Sequence, residues 1–523
     1  MSEEIFKKVV SHCKEYGFIF PSSEIYDGLG AVYDYGQNGV ELKNNLRAYW
    51  WKAMVQMQEN IVGIDAAIFM HPKVWKASGH IDGFSDPMID NKDSKKRYRA
   101  DQLLEDFLDK LQIAKAEVLS KNSFKHLLDF KTFIALKDIE NTEENIQKAL
   151  EAVSLAQLGI QDVLSKADLK TLYEAIVDNG IKCPISGTSN WTDVRQFNLM
   201  FSTEMGASAE DTDKIYLRPE TAQGIFVNFL NVQKTGRMKI PFGIAQTGKA
   251  FRNEIIARQF IMRMREFEQM EMQFFIRPGT QKQWYEYWKE MRIKWHHKLS
   301  FGNEKYRFHD HVKLAHYADA AVDIEFDFPF GFKEMEGIHS RTDFDLKNHQ
   351  ELSGKKLQYF DNDIDEATGK PFGNYIPYVI ETSIGLDRLF LATLCACYVE
   401  EQVGEGDKIE TRTVLRLPSL LAPVKVAVLP LVKKDGLPEK ARAIIDELKF
   451  DYNCYYEEKD TIGKRYRRMD AIGTPYCITV DYDSLKNDDV TIRYRDTMQQ
   501  ERIPISRIKE ILKEELDWKK LLG

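Results

Sequence analysis

Cysteine is scarce in this 523-residue sequence, and its six copies are scattered along the chain (Cys13, Cys183, Cys395, Cys397, Cys454 and Cys477). They do not form the even framework of a secreted disulfide scaffold, so we expect most of them to be reduced and buried. No apolar run approaches the roughly 20 residues that a membrane span needs, which predicts no membrane partner. The first twenty residues mix acids and bases and lack a small-residue cleavage site, so they predict neither a signal nor a transit peptide. We therefore expect a cytoplasmic location.

The chain also lacks an excess of positive charge, because its formal net charge is −8 and its pI is about 5.9. This balance argues against a protein coated with phosphate-binding charge but leaves room for a local basic patch. With 43% hydrophobic and 29% charged residues, the composition is that of an ordinary globular protein rather than of a disordered chain. The length exceeds what one hydrophobic core organises and predicts three or four domains.

The composition and hydrophobic pattern of the sequence change along the chain and predict several regions. Residues 38–58 carry apolar side chains at helical spacing, and a strand follows that should stop at Pro72. Residues 101–185 are charged and helical, which predicts an inserted helical subdomain. Residues 186–420 are rich in aromatic residues and alternate strands with turns, as in a largely antiparallel sheet with helices. Residues 421–523 repeat strands and helices, which predicts a small α/β domain. The predicted fold class is therefore multidomain, combining α+β and α/β parts.

The segment AFRNEIIARQFIMRMREFEQMEMQFF, residues 250–275, predicts a strand, a turn and a returning strand. Arg252 and Glu254 share one face of the first strand. One face of the second strand carries a polar and aromatic set: Arg263, Arg265, Phe267, Gln269 and Glu271. The methionines take the other face together with two further glutamates.

Such a charged face is costly unless a ligand pairs it. One alternative is an exposed ribbon laced with ion pairs. The other is a platform on which guanidinium groups clamp phosphates, Phe267 stacks on a flat base and a carboxylate at the far end holds a cation.

Two further segments join a polar cluster to an apolar helix. In YVIETSIGLDRLFLATL, residues 378–394, a β-type run meets a helix at Gly385, and Arg388 lies in the first turn of that helix. A basic side chain there does not stabilise the helix dipole, which favours an anion-binding role. In YLRPETAQGIFVNF, Glu220 and Thr221 precede an apolar helix and either cap it or bind a ligand.

A basic cluster lies in the last region, within IGKRYRRMD. Its four cations crowd around Tyr466: Lys464, Arg465, Arg467 and Arg468. Residues 421–523 contain 20 Lys and Arg against 19 Asp and Glu, so this region is less acidic than the rest of the chain. The cluster is either a solvated helix face or a nucleic-acid contact.

These motifs together resemble the class II aminoacyl-tRNA synthetases. The hairpin FRNE…REFEQMEMQFF is similar to their motif 2, ETSIGLDR is similar to motif 3, and residues 38–72 resemble motif 1, which builds a dimer interface. The forms YDYGQNGVELKNNL, GFSDPM, RPETAQG and GIHSRTDFDL resemble glycyl-tRNA synthetases of the homodimeric type. The resemblance runs from about residue 5 to residue 515 and is interrupted by the helical insert.

The resemblance implies an enzyme that acts in two steps. Glycine and ATP give glycyl-adenylate and pyrophosphate, and the glycyl group then passes to the 3′-terminal ribose of tRNA(Gly). Implied partners are ATP, glycine, tRNA(Gly) and a second copy of the chain, and the implied cofactor is Mg²⁺ held with ATP. Residues 1–100 would be the N-terminal part of the catalytic domain with the motif 1 interface, 101–185 the helical insert, 186–420 the catalytic core with motifs 2 and 3, and 421–523 the anticodon-binding domain.

The resemblance also implies roles for individual residues, of which Arg252, Glu254 and Arg388 would be catalytic. The ATP-binding set would be Arg252, Asn253, Glu254, Arg263, Arg265, Phe267, Glu334, Met335, Gly385 and Arg388. The glycine-binding set would be Arg99, Glu220, Glu271, Glu381 and Ser383. Glu334 and Glu381 would lie near the metal, and the cluster Lys464, Arg465, Arg467 and Arg468 would contact tRNA.

The sequence departs from the family pattern near the insert, where relatives often carry pairs of cysteines. Here the corresponding residues are Asn91, Ser94, Cys183 and Ser186. One thiolate does not build a tetrahedral zinc site, so we expect no structural zinc. Motif 2 also has Ala257 where relatives often have proline, a change that removes no charged group.

Two rival functions share these motifs. A catalytically inactive, synthetase-like RNA-binding paralogue should have lost motif arginines or pocket carboxylates, which this chain retains. A different ATP-dependent ligase on the same fold would not need the C-terminal domain.

Overall fold

The computed structural model describes residues 2–123, 125–166, 168–206, 213–254, 259–311, 314–315, 317–404 and 409–523. They form two compact units. The first draws on Met1–Ser78, Phe201–Arg252 and Ala257–Gly523, and the second on Gly79–Met200 and Asn253–Ile256. Within these described ranges, no helix has both the length and the apolar character needed to cross a membrane.

The helices of the described residues are α1 (Ser2–Glu15), α2 (Gln37–Trp51), α3 (Pro72–Ala77), α4 (His80–Gly83), α5 (Ala100–Lys121), α6 (Glu143–Lys166), α7 (Leu169–Asp178), α8 (Ala222–Val227), α9 (Phe229–Thr235), α10 (Gln281–His297), α11 (Phe344–Ser353), α12 (Leu386–Cys397), α13 (Leu437–Leu448), α14 (Ile462–Ile472), α15 (Tyr482–Asn487), α16 (Ile508–Glu515) and α17 (Trp518–Leu522). A π-helical segment, Lys52–Gln56, continues α2.

The strands are β1 (Ile19–Pro21), β2 (Tyr33–Tyr35), β3 (Ile61–Gly63), β4 (Ser85–Asn91), β5 (Lys96–Arg99), β6 (Arg195–Asn198), β7 (Ser202–Met205), β8 (Asp213–Tyr216), β9 (Phe242–Phe251), β10 (Glu266–Ile276), β11 (Tyr306–Asp310), β12 (Ala320–Phe328), β13 (Gly331–Thr342), β14 (Tyr359–Asp365), β15 (Lys370–Tyr375), β16 (Tyr378–Gly385), β17 (Tyr398–Val403), β18 (Glu410–Leu415), β19 (Val426–Pro430), β20 (Cys454–Tyr456), β21 (Tyr476–Val480), β22 (Asp489–Tyr494) and β23 (Gln500–Pro504).

A seven-stranded sheet forms the centre of the first unit, in the order β11-β12-β13-β16-β10-β9-β3. Its neighbouring strands are antiparallel except for β3, which pairs in parallel with β9. The largely antiparallel core predicted from the sequence is therefore confirmed. The predicted strand after the first long helix is shorter than expected, because β3 ends at Gly63.

One face of this sheet is apolar and packs on helices. It carries Met270, Met272 and Phe274 of β10 and Ile380 and Ile384 of β16, all buried in one hydrophobic cluster. Because side chains alternate along a strand, the other face is left to the residues between them. That second face carries the polar row of β10 and, at its far end, Phe242, Phe275 and Val379 in another apolar cluster.

Helix α2 belongs to the same apolar cluster. Leu42, Leu46, Tyr49 and Trp50 are buried, as their helical spacing predicts. Tyr49 Oη also donates a hydrogen bond of 2.8 Å to the Trp295 carbonyl oxygen at the end of α10. The helix that resembles motif 1 is therefore anchored in the core of the first unit.

The C-terminal part of the first unit contains a five-stranded mixed sheet in the order β20-β19-β21-β22-β23. Strand β19 pairs in parallel with β20 and β21, while β22 is antiparallel to both of its neighbours. Apolar residues of this sheet and of α13 and α16 form a separate hydrophobic cluster.

The second unit combines a three-stranded antiparallel sheet, β5-β4-β6, with helices α5, α6 and α7. Leu104, Leu111 and Val118 of α5 meet Val153 of α6 and Ile176 of α7 in its core. Their spacing along α5 is that of one buried helix face. The charged helical segment predicted at 101–185 lies within this unit.

Candidate active site

The polar face of the central sheet is built by register. Glu271 of β10 lies opposite Ser383 of β16, and Gln273 lies opposite Glu381. On the far side of β16, Glu381 lies opposite His339 of β13. Since paired residues of antiparallel strands project to the same face, these side chains form one continuous polar surface.

The centre of this surface is a buried acidic pocket around Glu271. Glu271 itself is only 2% exposed. Thr221 Oγ1 donates a hydrogen bond to Glu271 Oε2. Gln273 Nε2 donates to Glu271 Oε1 at 2.8 Å and to Glu381 Oε2 at 2.7 Å. One amide therefore links the two carboxyl groups of neighbouring strands.

A second layer of polar contacts closes the pocket. Arg341 Nη1 donates to Glu381 Oε2 at 2.8 Å, and the same guanidinium holds both oxygens of Asp345, at 2.9 and 3.0 Å. Gln223 Nε2 donates to Glu220 Oε1 at 3.0 Å and to Asp345 Oδ1 at 2.9 Å. The predicted residues Glu220, Glu271 and Glu381 are thus brought together.

The two central carboxyl groups have opposite pKa shifts. Burial, reinforced by the charges of Glu381 and Glu220, raises the pKa of Glu271 well above its usual range. Burial also opposes ionisation of Glu381, but Arg341 and His339 lower the pKa of that carboxyl. Glu381 is therefore the ionised member of the pair, and Glu271 is the member that holds a proton more readily.

Arginine and aromatic side chains form another part of the same face. The Arg252 guanidinium lies 5.2 Å from the centre of the Phe267 ring, and Arg252 Nε donates to the Pro219 carbonyl oxygen at 3.1 Å. Arg388 Nη1 lies 3.0 Å from Glu334 Oε1. Arg388, and more weakly Arg252, lower the pKa of Glu334. Arg252, Phe267, Arg388 and Glu334 therefore share one neighbourhood.

Gln269 connects this neighbourhood to the acidic pocket. It follows Phe267 on the polar face of β10, its Oε1 accepts a hydrogen bond of 3.2 Å from the Thr221 backbone N–H, and its Nε2 donates to Ser383 Oγ at 3.3 Å. Ser383, predicted in the glycine set, is thus placed between the pocket and the arginines.

The chain reaches Arg388 through a direct strand-to-helix junction. Strand β16 ends at Gly385, which caps the N-terminus of α12, and Arg388 lies in the first turn, as predicted. The preceding residue, Asp387, accepts hydrogen bonds from Tyr35 Oη, Lys43 Nζ and the Glu268 backbone N–H. This buried carboxylate links α12 to β2, α2 and β10. It therefore fixes the position of the first turn of α12, which carries Arg388.

The prediction that Arg263 and Arg265 lie on the strand with Phe267 is wrong, because β10 begins at Glu266. A short 3₁₀ turn, Phe260–Met262, precedes them, and the Arg265 backbone N–H donates to Ala31 instead of to a strand partner. Arg265 Nη1 donates to the Gly30 carbonyl oxygen at 3.0 Å. Arg263 is exposed.

Met335 of the predicted ATP set is 1% exposed and belongs to the apolar cluster beneath the sheet. Its side chain therefore faces away from the polar surface, and only its backbone is left for a ligand.

Three predicted site residues belong to the second unit. Asn253 and Glu254 follow Arg252 directly in the chain, and the Asn253 N–H donates to the Leu199 carbonyl oxygen at 2.8 Å. Arg99 forms ion pairs with Asp101 at 2.6 Å and Asp86 at 3.3 Å, and these carboxylates raise the pKa of Arg99 against the effect of burial. The predicted roles of these three residues stay predictions.

The residues at the cysteine-pair positions cluster in the second unit. Ser94 N–H and Ser186 Oγ both donate to Asn91 Oδ1, and Tyr98 Oη lies 3.1 Å from Cys183 Sγ. Although burial opposes ionisation of the thiol, hydrogen bonds to Ser186, Ser94 and Tyr98 lower the pKa of Cys183 to about 6.

The basic cluster of the last region divides between surface and interior. Arg465 is 1% exposed and donates to the carbonyl oxygens of Pro430, Glu457 and Leu431. The inclusion of Arg465 among tRNA-contacting residues is therefore corrected. Lys464 is exposed, whereas Arg467 and Arg468 are each partly exposed and near acidic side chains.

Sequence reasoning missed several residues of the pocket wall, chiefly Arg341, Asp345, Gln223 and Gln273. The first two belong to the motif RTDFDL. Arg341 lies near the end of β13 and Asp345 in the first turn of α11, where they form an ion pair. Gln273 continues the alternating polar row of β10. Gln223, inside an apolar helix, gave no clear signal.

Family models match most of the chain. The model described as "tRNA synthetase class II core domain (G, H, P, S and T)" matches residues 201–396. "Glycyl-tRNA synthetase insertion domain 1" matches residues 86–199, and "Anticodon binding domain" matches residues 425–515.

Curated relatives and solved structures agree with these models. The chain is 50% identical over 506 residues to a glycine–tRNA ligase of Chlorobaculum tepidum, covering 97% of this chain and 98% of the relative. It is 48% identical over 518 residues to a glycine–tRNA ligase of Macrococcus caseolyticus, covering 99% and 100%. The Giardia lamblia prolyl-tRNA synthetase is similar in fold alone, with a TM-score of 0.55 at 15% identity, covering 100% of this chain and 80% of that one. The chain belongs to the glycine–tRNA ligase family, whose members combine a class II aminoacyl-tRNA synthetase core with an anticodon-binding domain.

Proposed function

We propose that the polar face of the central sheet activates glycine with ATP, and that the product glycyl-adenylate then esterifies tRNA(Gly). One observation carries this assignment. The carboxyl pocket around Glu271 and the Phe267 ring lie on one face of β10 with Gln269 between them, and the Arg252 guanidinium lies beside that ring. An ammonium site next to a phosphate site suits a small amino acid joined to a nucleotide.

In the proposed pocket, Glu271 and Glu220 receive the ammonium group of glycine, and Ser383 contributes a hydroxyl oxygen. Selection against larger amino acids depends on the walls, since glycine offers no side chain to bind. Gln273 donates a hydrogen bond to Glu381, and Arg341 donates to the same Glu381 oxygen. Displacing them to admit a methyl group would leave buried polar groups unpaired, which costs about 1–3 kcal/mol for each group.

In the proposed ATP site, adenine stacks on Phe267 and the phosphates meet Arg252 and Arg388. A planar guanidinium holds two phosphate oxygens at once. The Arg252 guanidinium lies 5.2 Å from the centre of the Phe267 ring, so the proposed adenine and α-phosphate contacts are adjacent. The pairing of Arg388 with Glu334 keeps that guanidinium extended toward the site.

The first step needs little proton transfer, because the glycine carboxylate is already a nucleophile. One of its oxygens bonds to the α-phosphorus while the bond from that phosphorus to pyrophosphate breaks. Arg252 stabilises the charge that develops at the α-phosphate, and Arg388 that on the leaving pyrophosphate. In the second step a ribose hydroxyl oxygen of tRNA bonds to the glycyl carbonyl carbon, and AMP leaves.

The two predicted metal-binding carboxylates differ in their fit to Mg²⁺. Glu381 already accepts hydrogen bonds from His339, Gln273 and Arg341, and the guanidinium beside it repels a second cation. Glu334 is half exposed, and its low pKa keeps it ionised beside Arg388. We therefore assign Glu334 alone as a protein ligand for Mg²⁺ that arrives with ATP, where the cation would neutralise phosphate charge.

Glycine-dependent exchange of pyrophosphate into ATP tests this proposal. The wild-type chain should support exchange with glycine and not with alanine, serine or proline. Arg388→Gln should lower kcat by about 10²–10³-fold, the loss seen when a transition-state donor is removed. Arg307→Gln, which removes an exposed arginine paired with Glu325 at the sheet edge, is the matched control and should leave exchange unchanged.

No exchange with any amino acid would support the inactive RNA-binding alternative instead. Retention of full activity in Arg388→Gln would contradict the assignment of the phosphate site.

The remaining partners follow from the family and from the C-terminal region. We propose that Lys464, Arg467 and Arg468 contact tRNA(Gly), with unstacked anticodon bases read by the neighbouring domain surface. We further propose a homodimer that uses the motif 1 region, and a cytoplasmic location consistent with six free thiols. Sedimentation equilibrium of the full chain tests the dimer.

A further inference from the structure

A cluster of metal-ligating side chains lies on the same sheet beyond the glycine pocket. His311 follows β11, Asp323 lies on β12 and His339 lies on β13. One ligating atom from each residue falls within 4.8 Å of the others. None of the roles proposed above uses this cluster as a ligand set.

The geometry around His339 fixes which of its nitrogens is free. His339 Nδ1 lies 2.7 Å from Glu381 Oε1. Since the Glu381 carboxyl group also accepts hydrogen bonds from Gln273 and Arg341, Nδ1 is the donor in this contact, and Nε2 is the nitrogen available to another partner. A carboxylate behind the imidazole is the outer-shell arrangement that orients histidine ligands of metals.

Gly337 makes room for a shared partner of His339 and Asp323. A Cβ atom at Gly337 would lie 3.3 Å from His339 Nε2 and 3.6 Å from Asp323 Oδ1. Both polar atoms therefore surround the space that a side chain at this position would enter. On the other side, His311 Nε2 lies 2.9 Å from Asp323 Oδ2.

Burial of the three groups is intermediate, as an accessible ion site requires. The side chains of His311, Asp323 and His339 are 32%, 13% and 18% exposed. Ligands about 2.0–2.2 Å from a tetrahedral Zn²⁺ lie roughly 3.4 Å apart. The ligating atoms therefore need to approach one another by at most about 1.4 Å to surround such an ion.

We propose that His311, Asp323 and His339 form a binding site for one divalent transition-metal ion. Two imidazoles and one carboxylate favour ions such as Zn²⁺, Co²⁺ and Ni²⁺ over Mg²⁺. The metal displaces the proton that His311 shares with Asp323. It also holds His339 as a donor to Glu381, one side chain from the glycine pocket. The site does not depend on the proposed reaction.

Metal binding to the full-length chain tests this site. The protein is stripped with a chelator and dialysed against Zn²⁺, and bound zinc is counted by mass spectrometry. The wild-type chain should bind one equivalent, and Co²⁺ should give visible d–d absorption bands. His311→Gln, Asp323→Asn and His339→Gln should each weaken binding at least tenfold.

Two control variants separate this site from other sources of zinc binding. Cys183→Ser removes the thiol of the second unit, and His71→Gln removes an exposed histidine outside the cluster; both should keep the bound equivalent. Zn²⁺ should raise the melting temperature of the wild-type chain and the controls but not of the three ligand variants. Absence of bound zinc in the wild type, or full binding in all three ligand variants, would overturn the proposal.

Discussion

Glu271 and Glu381 are chemically identical side chains on neighbouring strands, yet their surroundings give them different protonation behaviour. Glu381 faces a guanidinium and an imidazole, whereas Glu271 accepts hydrogen bonds from a hydroxyl and an amide. With burial common to both, the nearby cations decide which carboxyl ionises. The raised pKa of Glu271 and the lowered pKa of Glu381 place the negative charge of this pair mainly on Glu381.

This arrangement predicts that glycine binding releases a proton. The ammonium group favours the carboxylate form of Glu271, whose pKa in the free protein is raised. Below that raised pKa, the glycine Kd should therefore fall about tenfold for each unit of rising pH, and it should level off above it. Calorimetric titrations with glycine across the pH range measure both the Kd and the protons released.

Glu271→Gln provides the comparison for this titration. The variant should bind glycine much more weakly, with a KM for ATP that changes less, and its glycine Kd should not follow pH in the same range. An identical pH profile in wild type and variant would assign the titration to another group. Glu220→Gln should weaken glycine binding and, because it removes a charge that raises the pKa of Glu271, should move the pH dependence to lower pH without abolishing it.

Single residues also show where reasoning from sequence stops. The crowded cations of IGKRYRRMD identify a basic helix, but the helix turns one of its arginines inward, where Arg465 binds three carbonyl groups. Those carbonyls lie 8 to 35 residues away in the sequence, at the end of β19 and in the chain beyond strands β19 and β20. A local charge count contains no information about such partners.

A buried ionic network joins helix α10 to the central sheet. Arg292 donates to both oxygens of Glu336 on β13, at 2.6 and 3.2 Å, and His296 lies 2.7 Å from the same carboxylate. Each of the three side chains is at most 3% exposed. The network fastens α10 to the strand that also presents His339 and Arg341 to the polar face.

Removing the shared carboxylate should destabilise the protein strongly. Glu336→Leu leaves Arg292 and His296 buried without their partner, and breaking a buried pair costs about 3–5 kcal/mol. Glu290→Ala, which removes an exposed pair with Lys294 on the same helix, should cost no more than about 1 kcal/mol. Urea unfolding, followed by the tryptophan fluorescence to which Trp288 and Trp295 contribute, compares the unfolding midpoints of the two variants. Equal midpoints would show that the network adds nothing to stability.

At the level of elements, the alternation of polar and apolar side chains along a strand was the strongest predictor of structure. The polar row of Phe267, Gln269 and Glu271 against the buried methionines of β10 follows from the sequence, as does the strand-to-helix junction at Gly385. The start of β10 did not follow, because the backbone of Arg265 pairs with a loop more than 230 residues earlier. Contacts of that separation are fixed by the tertiary fold and not by local pattern.

At the scale of the whole molecule, charge is distributed unevenly. The chain has a net charge of −8, but residues 421–523 hold nearly equal numbers of acidic and basic side chains. A polyanion such as tRNA is therefore repelled less by this region than by the rest of the chain. Within it, Lys464 and Arg467 lie on the first turns of α14 and remain accessible, whereas Arg468 is held by Glu457 and Asp460.

Neutralising the two accessible cations should weaken tRNA binding in a salt-dependent way. Each lost phosphate contact lowers the slope of log K against log salt by about 0.7–0.9, so Lys464→Gln with Arg467→Gln should lower it by about 1.4–1.8 and leave glycine-dependent pyrophosphate exchange unchanged. Lys486→Gln with Lys513→Gln removes the same charge from other helices of this region, where both lysines are exposed, and should leave the slope nearly as in the wild type. Filter-binding titrations with tRNA(Gly) at several salt concentrations measure this slope of log K against log salt. An equal loss in both double variants would mean that net charge, and not contact by α14, governs the affinity.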